Sequence, residues 1–448
     1  PPIRLAAALA IGGAALLAMP PIAGLPIPAY LAIAAWLFAG IACVPALTAW
    51  CGATLQALLG TRAWRMPPAW LALTQIAASP GAVSAALAGV VASFALASAM
   101  VFMVTSFRTS VDQWLDRVLP ADLYARAPAA LSGGFDAQTL HALQSLQGIT
   151  RMQLARATEL TLDPARPPVT LIARDLDAGA IQRQLPITGT VSQVPHGAVP
   201  LYVSEAMADG YGWVPGRRVD LPLPAAAQRE QAFVVAAVWR DYARQHGAVV
   251  IDRADYRRLT GDQTISEAAL WLDDGVRLDA VVEQALQRVP QLRDAELRSA
   301  ADIRALSLRI FDRSFAVTYA LEAMAILVAL FGVAATFAGE ALARAREFGM
   351  LRHFGFTRAQ IARQVALEAA GSVAVAVAWG GALGTLIGLV LIRRVNPQSF
   401  HWTMDAVWPA DLLLGSAAVL VASATLAAVI AARSATGDDP VRAVRQDW

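Results

Sequence analysis

Residues 340–368 read EALARAREFGMLRHFGFTRAQIARQVALE and lie between two long apolar runs. The stretch reads as two helices broken once. Gly355 fits the C′ position that closes the first helix, since glycine alone takes the left-handed conformation there without steric penalty. Thr357 then stands as N-cap of the second helix with Gln360 three residues on, the capping-box spacing, while Phe356 and Ile361 occupy the N′ and N4 positions of a hydrophobic staple. Between these signals the chain sets Phe348, Met350, Leu351, Phe354 and Phe356 among Arg344, Arg346, Arg352, Arg358 and Arg363. An apolar knob on a basic collar between two membrane spans points to docking on a cytoplasmic partner, helix in groove. The residues alone leave two alternatives equally open: a basic loop that only fixes topology, or an interfacial helix lying on lipid.

Working outward, the chain reads as a membrane protein. Its mean hydropathy is +0.49, and 57% of its 448 residues are hydrophobic. Apolar runs long enough to cross a bilayer fall at about 3–19, 25–47, 80–106, 313–338, 366–392 and 407–432. The first is short and resembles a signal peptide, but a second run follows after only a Pro-rich turn, which favours a span. Arginines in the short loops fix the orientation. Arg4, Arg62, Arg65, the 344–363 cluster, Arg433, Arg442 and Arg445 collect on one side, against Arg393 and Arg394 on the other. The first side is cytoplasmic by the positive-inside rule, and the knob faces it. The chain starts at Pro1 with no Met and reads as part of a longer polypeptide.

Residues 107–312 then lie outside the cytoplasm and suffice for one or two domains. They carry 22 Arg against 25 Asp plus Glu, a solvated and nearly balanced surface. Val111, Trp114, Leu115 and Val118 share one helical face after the third span, as do Ile303, Leu306 and Ile310 before the fourth. Both segments are expected to extend their membrane helices outward as a paired stalk. Strands are expected at 121–127, 157–162, 169–174, 199–204, 218–223, 232–239 and 267–273, and helices at 136–147, 252–259 and 277–289, an α+β pattern. The expected fold class is therefore a membrane helical bundle of about six spans with a large extracytoplasmic α+β domain on a helical stalk.

Within the spans, Gly380, Gly384 and Gly388 form a small-xxx-small row suited to close helix packing. Glu322 is an intramembrane acid, costly and by default a functional-site candidate. It lies near the outer end of its span, where interfacial water or Ser98 or Thr105 of the third span would satisfy it. Glu340 and Glu368 bracket the 340–368 stretch as partners for its arginines, worth little if solvent-exposed. Pro397 is expected to stop the fifth span, with Trp402 and Trp408 as interfacial anchors.

Recognisable catalytic chemistry is absent from the sequence. All 36 basic residues are Arg, so no phosphate-binding G-x-x-x-x-G-K-[ST] loop exists. The five histidines are scattered, with no H-E-x-x-H, so no metal site is expected, and there is no G-x-S-x-G nucleophile elbow. Cys43 and Cys51 lie in or beside one apolar run and support no disulfide framework. No catalytic residue and no bound cofactor are assigned.

Arg346, Glu347, Gly349, Leu351, Arg352, Gly355, Thr357, Arg358, Gln360 and Glu368 resemble, position by position, the segment after the second repeat helix in FtsX/MacB-like ABC-transporter permeases. FRTSVDQWLDRVLPADLY (107–124), YVSEAMADGYGWVPGRRVDLPL (202–223) and NPQSFHWT (396–403) are similar to other pieces of that family, so the resemblance covers about 80–435. It implies that Arg346, Glu347, Phe348, Gly349, Met350, Leu351, Arg352, Phe354, Gly355, Phe356, Thr357, Arg358 and Gln360 couple the chain to a separate ATPase dimer, which would carry the ATP and Mg. The implied domain order is two transmembrane helices and a cytoplasmic linker (1–79), a transmembrane helix (80–106), a MacB-core-like α+β domain with stalk (107–312) and a transmembrane helix (313–338). The coupling segment (339–365), two helices of the FtsX-like domain (366–433) and a cytoplasmic tail (434–448) follow.

The implied place is the bacterial cytoplasmic (inner) membrane, with the central domain extracytoplasmic. Implied partners besides the ATPase are membrane lipid, a missing N-terminal repeat or second permease, and a periplasmic or extracellular protein; nucleic acid is not among them. The resemblance implies mechanical work outside the membrane, used to export or extract a lipid, lipoprotein, peptide or drug. The alternatives are an FtsX-like transducer regulating a cell-wall hydrolase or sensor kinase, and, further off, a membrane-anchored enzyme.

Overall fold

The computed structural model describes residues 2–63, 67–77, 81–127, 134–177, 179–223, 231–288, 292 and 296–435. The chain divides into two compact units: Pro1–Ser106 with Ser314–Ser399 and Asp405–Trp448, and Phe107–Arg313 with Phe400–Met404. Of the arginines used to orient the chain, Arg65, Arg442 and Arg445 lie outside the described residues.

The first unit is helical. Helices α1 (Pro2–Leu17), α2 (Ile27–Ala63) and α3 (Pro67–Ala77) precede α4 (Gly81–Val118). The long helices α10 (Ala300–Ala343), α12 (Arg358–Val390) and α14 (Ala410–Ala435) complete the set, with the short α11 (Ala345–His353) between α10 and α12. Five helices are long and apolar enough to cross a membrane: those at 27–58, 84–118, 300–343, 358–400 and 410–433. The run expected at 3–19 forms the shorter apolar helix Ile3–Leu17, below the roughly 20 residues an upright span needs.

Pro397 does not end the fifth span. The chain passes through a π-helical turn, Leu391–Val395, into α13 (Asn396–Phe400). Pro397 sits in the first turn of α13, and such π-turns absorb local insertions into the ladder of bonds where proline cannot donate. Helix ends only at His401, whose φ of +60° is left-handed.

The second unit is a mixed sheet with helices on it. Its strands are β1 (Leu123–Arg126), β2 (Ile149–Leu160), β3 (Val169–Arg174), β4 (Ile187–Thr188), β5 (Val199–Ser204), β6 (Arg218–Val219), β7 (Phe233–Trp239), β8 (Ala248–Asp252), β9 (Glu267–Leu272) and β10 (Glu296–Ser299). They lie in the order β10-β1-β9-β2-β3-β8-β5-β7-β4, with β6 on β7. The β3/β8 and β5/β7 pairs are parallel and the others antiparallel. Helices α5 (Ala137–Gln144) and α9 (Leu278–Arg288) bury Leu143, Val281 and Ala285 against Leu123, Ala268 and Leu270. Helices α7 (Glu205–Tyr211) and α8 (Arg253–Thr260) supply Met207, Tyr256 and Leu259 to a second core with Leu171, Leu201 and Ile251. A third cluster, with Ile172, Tyr202, Trp239, Val250 and Leu185 from beside α6 (Ile181–Gln184), occupies the opposite face of the sheet.

The stalk expected from the apolar stripes is present within this unit. Phe107 meets Phe311 edge-on at 5.0 Å. Arg304 binds Asp112 and Asp116, each at 2.7 Å, and Arg108 faces Asp312 at 3.3 Å.

Candidate functional site

The 340–368 segment is built by local signals and then locked by one buried ion pair. Helix α10 breaks at a single residue, Arg344, and α11 follows. At the far end of α11, Phe356 N–H donates to Leu351 C=O (3.0 Å) and Gly355 N–H to Arg352 C=O (3.1 Å). These two bonds are the Schellman pattern, and Gly355, at φ +93°, holds the left-handed position it requires. Thr357 Oγ1 accepts from Gln360 N–H (3.2 Å) while Gln360 Oε1 accepts from Thr357 N–H (2.8 Å), a closed capping box. The staple is also present: Ile361 is fully buried, and Phe356 packs against the same cluster.

Arg344 ties the two ends of this segment together. Its Nη1 donates to both oxygens of Glu368 on α12, at 3.1 and 3.0 Å, and its Nε to Glu347 at 3.1 Å. The guanidinium also stands over the Phe348 ring, 5.4 Å from its centre. The Arg344 and Glu368 side chains are 12% and 8% exposed. The pairing of Glu368 with an arginine expected from the sequence is present and buried, and Arg344, absent from the predicted coupling set, is its centre. Glu340 does not take an arginine: both its carboxylate oxygens are buried without a hydrogen-bond partner among the described residues.

The predicted apolar knob divides in two. Phe348 is 2% exposed and belongs to the membrane unit's core, with Leu351 and Phe356 half-buried against it. This corrects the expectation that all five side chains are presented outward, because α11 packs one face onto the bundle. Met350 and Phe354 remain outside at 56% and 84% exposure, one turn apart, with Arg346 on the same face. Glu347, Thr357, Arg358 and Gln360 are also exposed, and Arg352 is half-buried. Apart from its own helical backbone, no atom of the described residues lies within 4 Å of where a Cβ on Gly349 would stand.

Gly380, Gly384 and Gly388 face α4. A Cβ on Gly384 would stand 2.5 Å from Ala95 C=O, and one on Gly380 3.1 Å from Val91 C=O. At Gly388 it would meet Phe102 at 2.7 Å. Glu322 does not pair with Ser98 or Thr105: its Oε1 and Ser98 Oγ are both buried without partners among the described residues, since Ser98 packs against Gly384 instead.

A second arrangement escaped the sequence reading. Residues 400–404, assigned there to the last membrane pair, pack in the sheet unit. Thr403 N–H and Oγ1–H donate to the two oxygens of Glu205, at 2.8 and 2.6 Å. Tyr242 Oη–H donates to Thr403 C=O (2.9 Å), and Arg240 to Thr403 Oγ1 (3.1 Å). Trp402 stacks on Phe107 at 4.9 Å and meets Tyr242 edge-on at 4.8 Å, and His401 Nδ1 contacts Asp209. The only sequence signal was the aromatic density of SFHWT.

Residues 320–440 match the family described as FtsX-like permease C-terminal. Over these residues the chain is similar to FtsX-like permeases. Over 366 residues it is 26% identical to an uncharacterised ABC transporter permease protein of Mycobacterium tuberculosis, covering 80% of this chain and 42% of that one. The chain therefore spans about two fifths of that relative's length. Among solved structures, the extracellular domain of the noncanonic ABC-type transporter YknZ from Gram-positive bacteria aligns over 40% of this chain and 98% of its own, at 12% identity and TM-score 0.28. The periplasmic region of MacB from Actinobacillus actinomycetemcomitans aligns over 43% and 94%, at 8% identity and TM-score 0.30. Five of its helices are long and apolar enough to cross a membrane, and the sheet domain lies in the chain between two of them.

Proposed function

We propose that this permease receives the stroke of a separate ATPase dimer on α11 and passes it to the extracytoplasmic sheet domain, where it does mechanical work on a cargo. The observation that carries the reading is the division of α11 into an inner face locked to α10 and α12 and an outer face that presents Met350 and Phe354. A push on that outer face is delivered to both neighbours, because Arg344 joins the α10–α11 break to Glu368 on α12. Gly349 supports the reading from another side. A glycine in a helix interior costs about 1 kcal/mol against alanine, and nothing inside the chain requires it here. A surface pressed against α11 from outside would.

Output runs along continuous chain. Helix α10 is unbroken from Ala300 to Ala343, and the 400–404 segment held by Glu205 and Tyr242 leads directly into α13 on one side and toward α14 on the other. The chain has no phosphate-binding loop of its own, so ATP and Mg belong to the partner.

The test is co-purification of the ATPase with tagged full-length protein carrying Met350→Asp and Phe354→Asp. Both side chains are exposed, so folding should be unaffected and the ATPase should be lost. Retention of the ATPase at wild-type stoichiometry overturns the docking assignment. Leu351→Asp is the control, expected to lower stability, because that side chain packs inward.

A further inference from the structure

The sheet unit contains a cavity of about 500 Å³, within the range of small-ligand sites. Its floor is the sheet face opposite the α7/α8 core, and its roof is the end of α4 and the start of α10. Cross-strand partners share a face, so Arg126, Glu267, Ala155 and Arg174 form one row from β1 through β9 and β2 to β3. Ile172 and Val250 are partners on the same face, and Trp239 of β7 belongs to the same cluster. From the roof come Trp114, Leu115, Ile303, Leu306 and Ile310, of which Leu306 and Ile310 are 38% and 58% exposed.

Two donors in this lining are unspent. Trp239 is 2% exposed, yet its Nε1–H has no acceptor among the described residues. A buried donor left unsatisfied costs about 1–3 kcal/mol, which a water entering the cavity would offset. Arg174 is half-buried and has no ion pair among the described residues; its one hydrogen bond runs to the neutral amide of Gln153 at the 3.5 Å limit. Burial pulls its pKa below the ordinary guanidinium value, although Tyr124 and Glu267 act against that. Of the other charges nearby, Arg298 and Glu296 are exposed and the rest are committed. Arg126 binds Glu267 at 2.8 Å, Arg244 binds Asp241 at 3.1 Å, and Asp252, facing Arg174 across the strands, caps α8 and accepts from Leu176 N–H. Four arginines and two glutamates line the cavity, so its field is positive. Trp239 and Arg174 are three strands apart, roughly 14 Å at the usual spacing.

We propose that this cavity binds an anionic single-chain amphiphile, a fatty acid or monoacyl lipid. Its acid group is held by Arg174, and its chain lies on Ile172 and Val250 beneath α4 and α10, running toward the Trp239 end of the cavity. Lipid is the source the surroundings favour. Leu306 and Ile310 of the roof are aliphatic and exposed, and α10 runs into its apolar stretch a few residues beyond Ile310. This site needs no ATPase and stands apart from the coupling proposed above.

The experiment uses the full chain in nanodiscs and a hexadecanoic acid bearing a diazirine on its chain. After irradiation, adducts are mapped by mass spectrometry. Adducts are expected on the 114–119 and 303–310 peptides, and unlabelled hexadecanoic acid should compete at least about tenfold better than hexadecanol, the difference one charge-assisted hydrogen bond makes. Arg174→Met should lower this labelling about tenfold and Arg174→Lys much less. Ser307→Trp fills the cavity from the helix side without touching the sheet and should abolish labelling at an unchanged melting temperature. Adducts confined to the membrane spans, equal competition by the alcohol, or full labelling of both Ser307→Trp and Arg174→Met would each overturn the proposal. Loss of the ATPase partnership would leave these results unchanged, so the two readings fail separately.

Discussion

Helix α10 carries an arginine bound to two carboxylates near one end, and another stands just beyond its other end. Arg304 binds Asp112 and Asp116, with side chains 35%, 42% and 57% exposed. Arg344 binds Glu368 and Glu347, with side chains 12%, 8% and 54% exposed. The chemistry is nearly the same, and the surroundings are not. Water screens the first cluster, so its Coulomb gain is offset by its own hydration and by side-chain entropy. The second is enclosed by Phe348 and the membrane unit's core, so each partner depends on the other to offset desolvation. The outer cluster trims a stalk that packing already holds, whereas the inner one decides whether α11 sits on α12 at all.

That contrast breaks first at Glu368. Glu368→Ala leaves the buried Arg344 with only its bond to the half-exposed Glu347 and should cost about 3–5 kcal/mol, read as a lower melting temperature of the purified chain and as faster hydrogen exchange across 345–356. Glu347→Ala, on the exposed arm of the same arginine, should cost below about 1 kcal/mol. Equal losses at the two glutamates would show that burial does not set the strength of this cluster. Arg304→Met is the matching change outside. It should also cost below about 1 kcal/mol, and the difference from wild type should fade as salt is raised. An effect as large as that of Glu368→Ala would erase the distinction between the two clusters.

What could be read in advance follows the same division between local and tertiary causes. Gly355, Thr357 and Gln360 were legible because a cap is decided by residues within one turn of it, and both caps form as their spacing requires. Strands β3 and β5 were legible end to end, since their apolar runs are bounded by Pro or charge. Strand β8, AVVID, was missed: it is short and follows a turn, and it becomes a strand by pairing with β3 and β5, which lie far away in sequence. Strands β4 and β10 are short edge strands that depend on one neighbour each. Within the site, the aromatic residues of 348–356 were legible in advance but not the sides they take. Phe348 faces inward only because the core containing Ala341, Ile361 and Val365 is there to receive it. The capture of 400–404 was likewise invisible, since Glu205 and Tyr242 are remote from Thr403 in the chain.

The smallest expected effect sharpens the comparison by testing burial with no ion pair involved. Burial, only partly offset by the hydrogen bond from Ala121 N–H and by Arg174, pushes the Tyr124 phenol up to about 12 from an ordinary 10. The folded state then holds this proton more tightly than the unfolded chain does. Its contribution to stability is complete below pH 10 and is lost as pH rises through 12. Tyr124→Phe removes the titrating group and forfeits the bond from Ala121. It should therefore lower stability slightly at neutral pH, by about 1 kcal/mol or less for one neutral hydrogen bond, while flattening the alkaline limb of the stability curve between pH 10 and 12. Melting temperatures of wild type and variant that fall in parallel across that interval would show that Tyr124 ionises as freely as an exposed phenol. The sheet face beneath α4 and α10 would then be wetter than its side chains indicate.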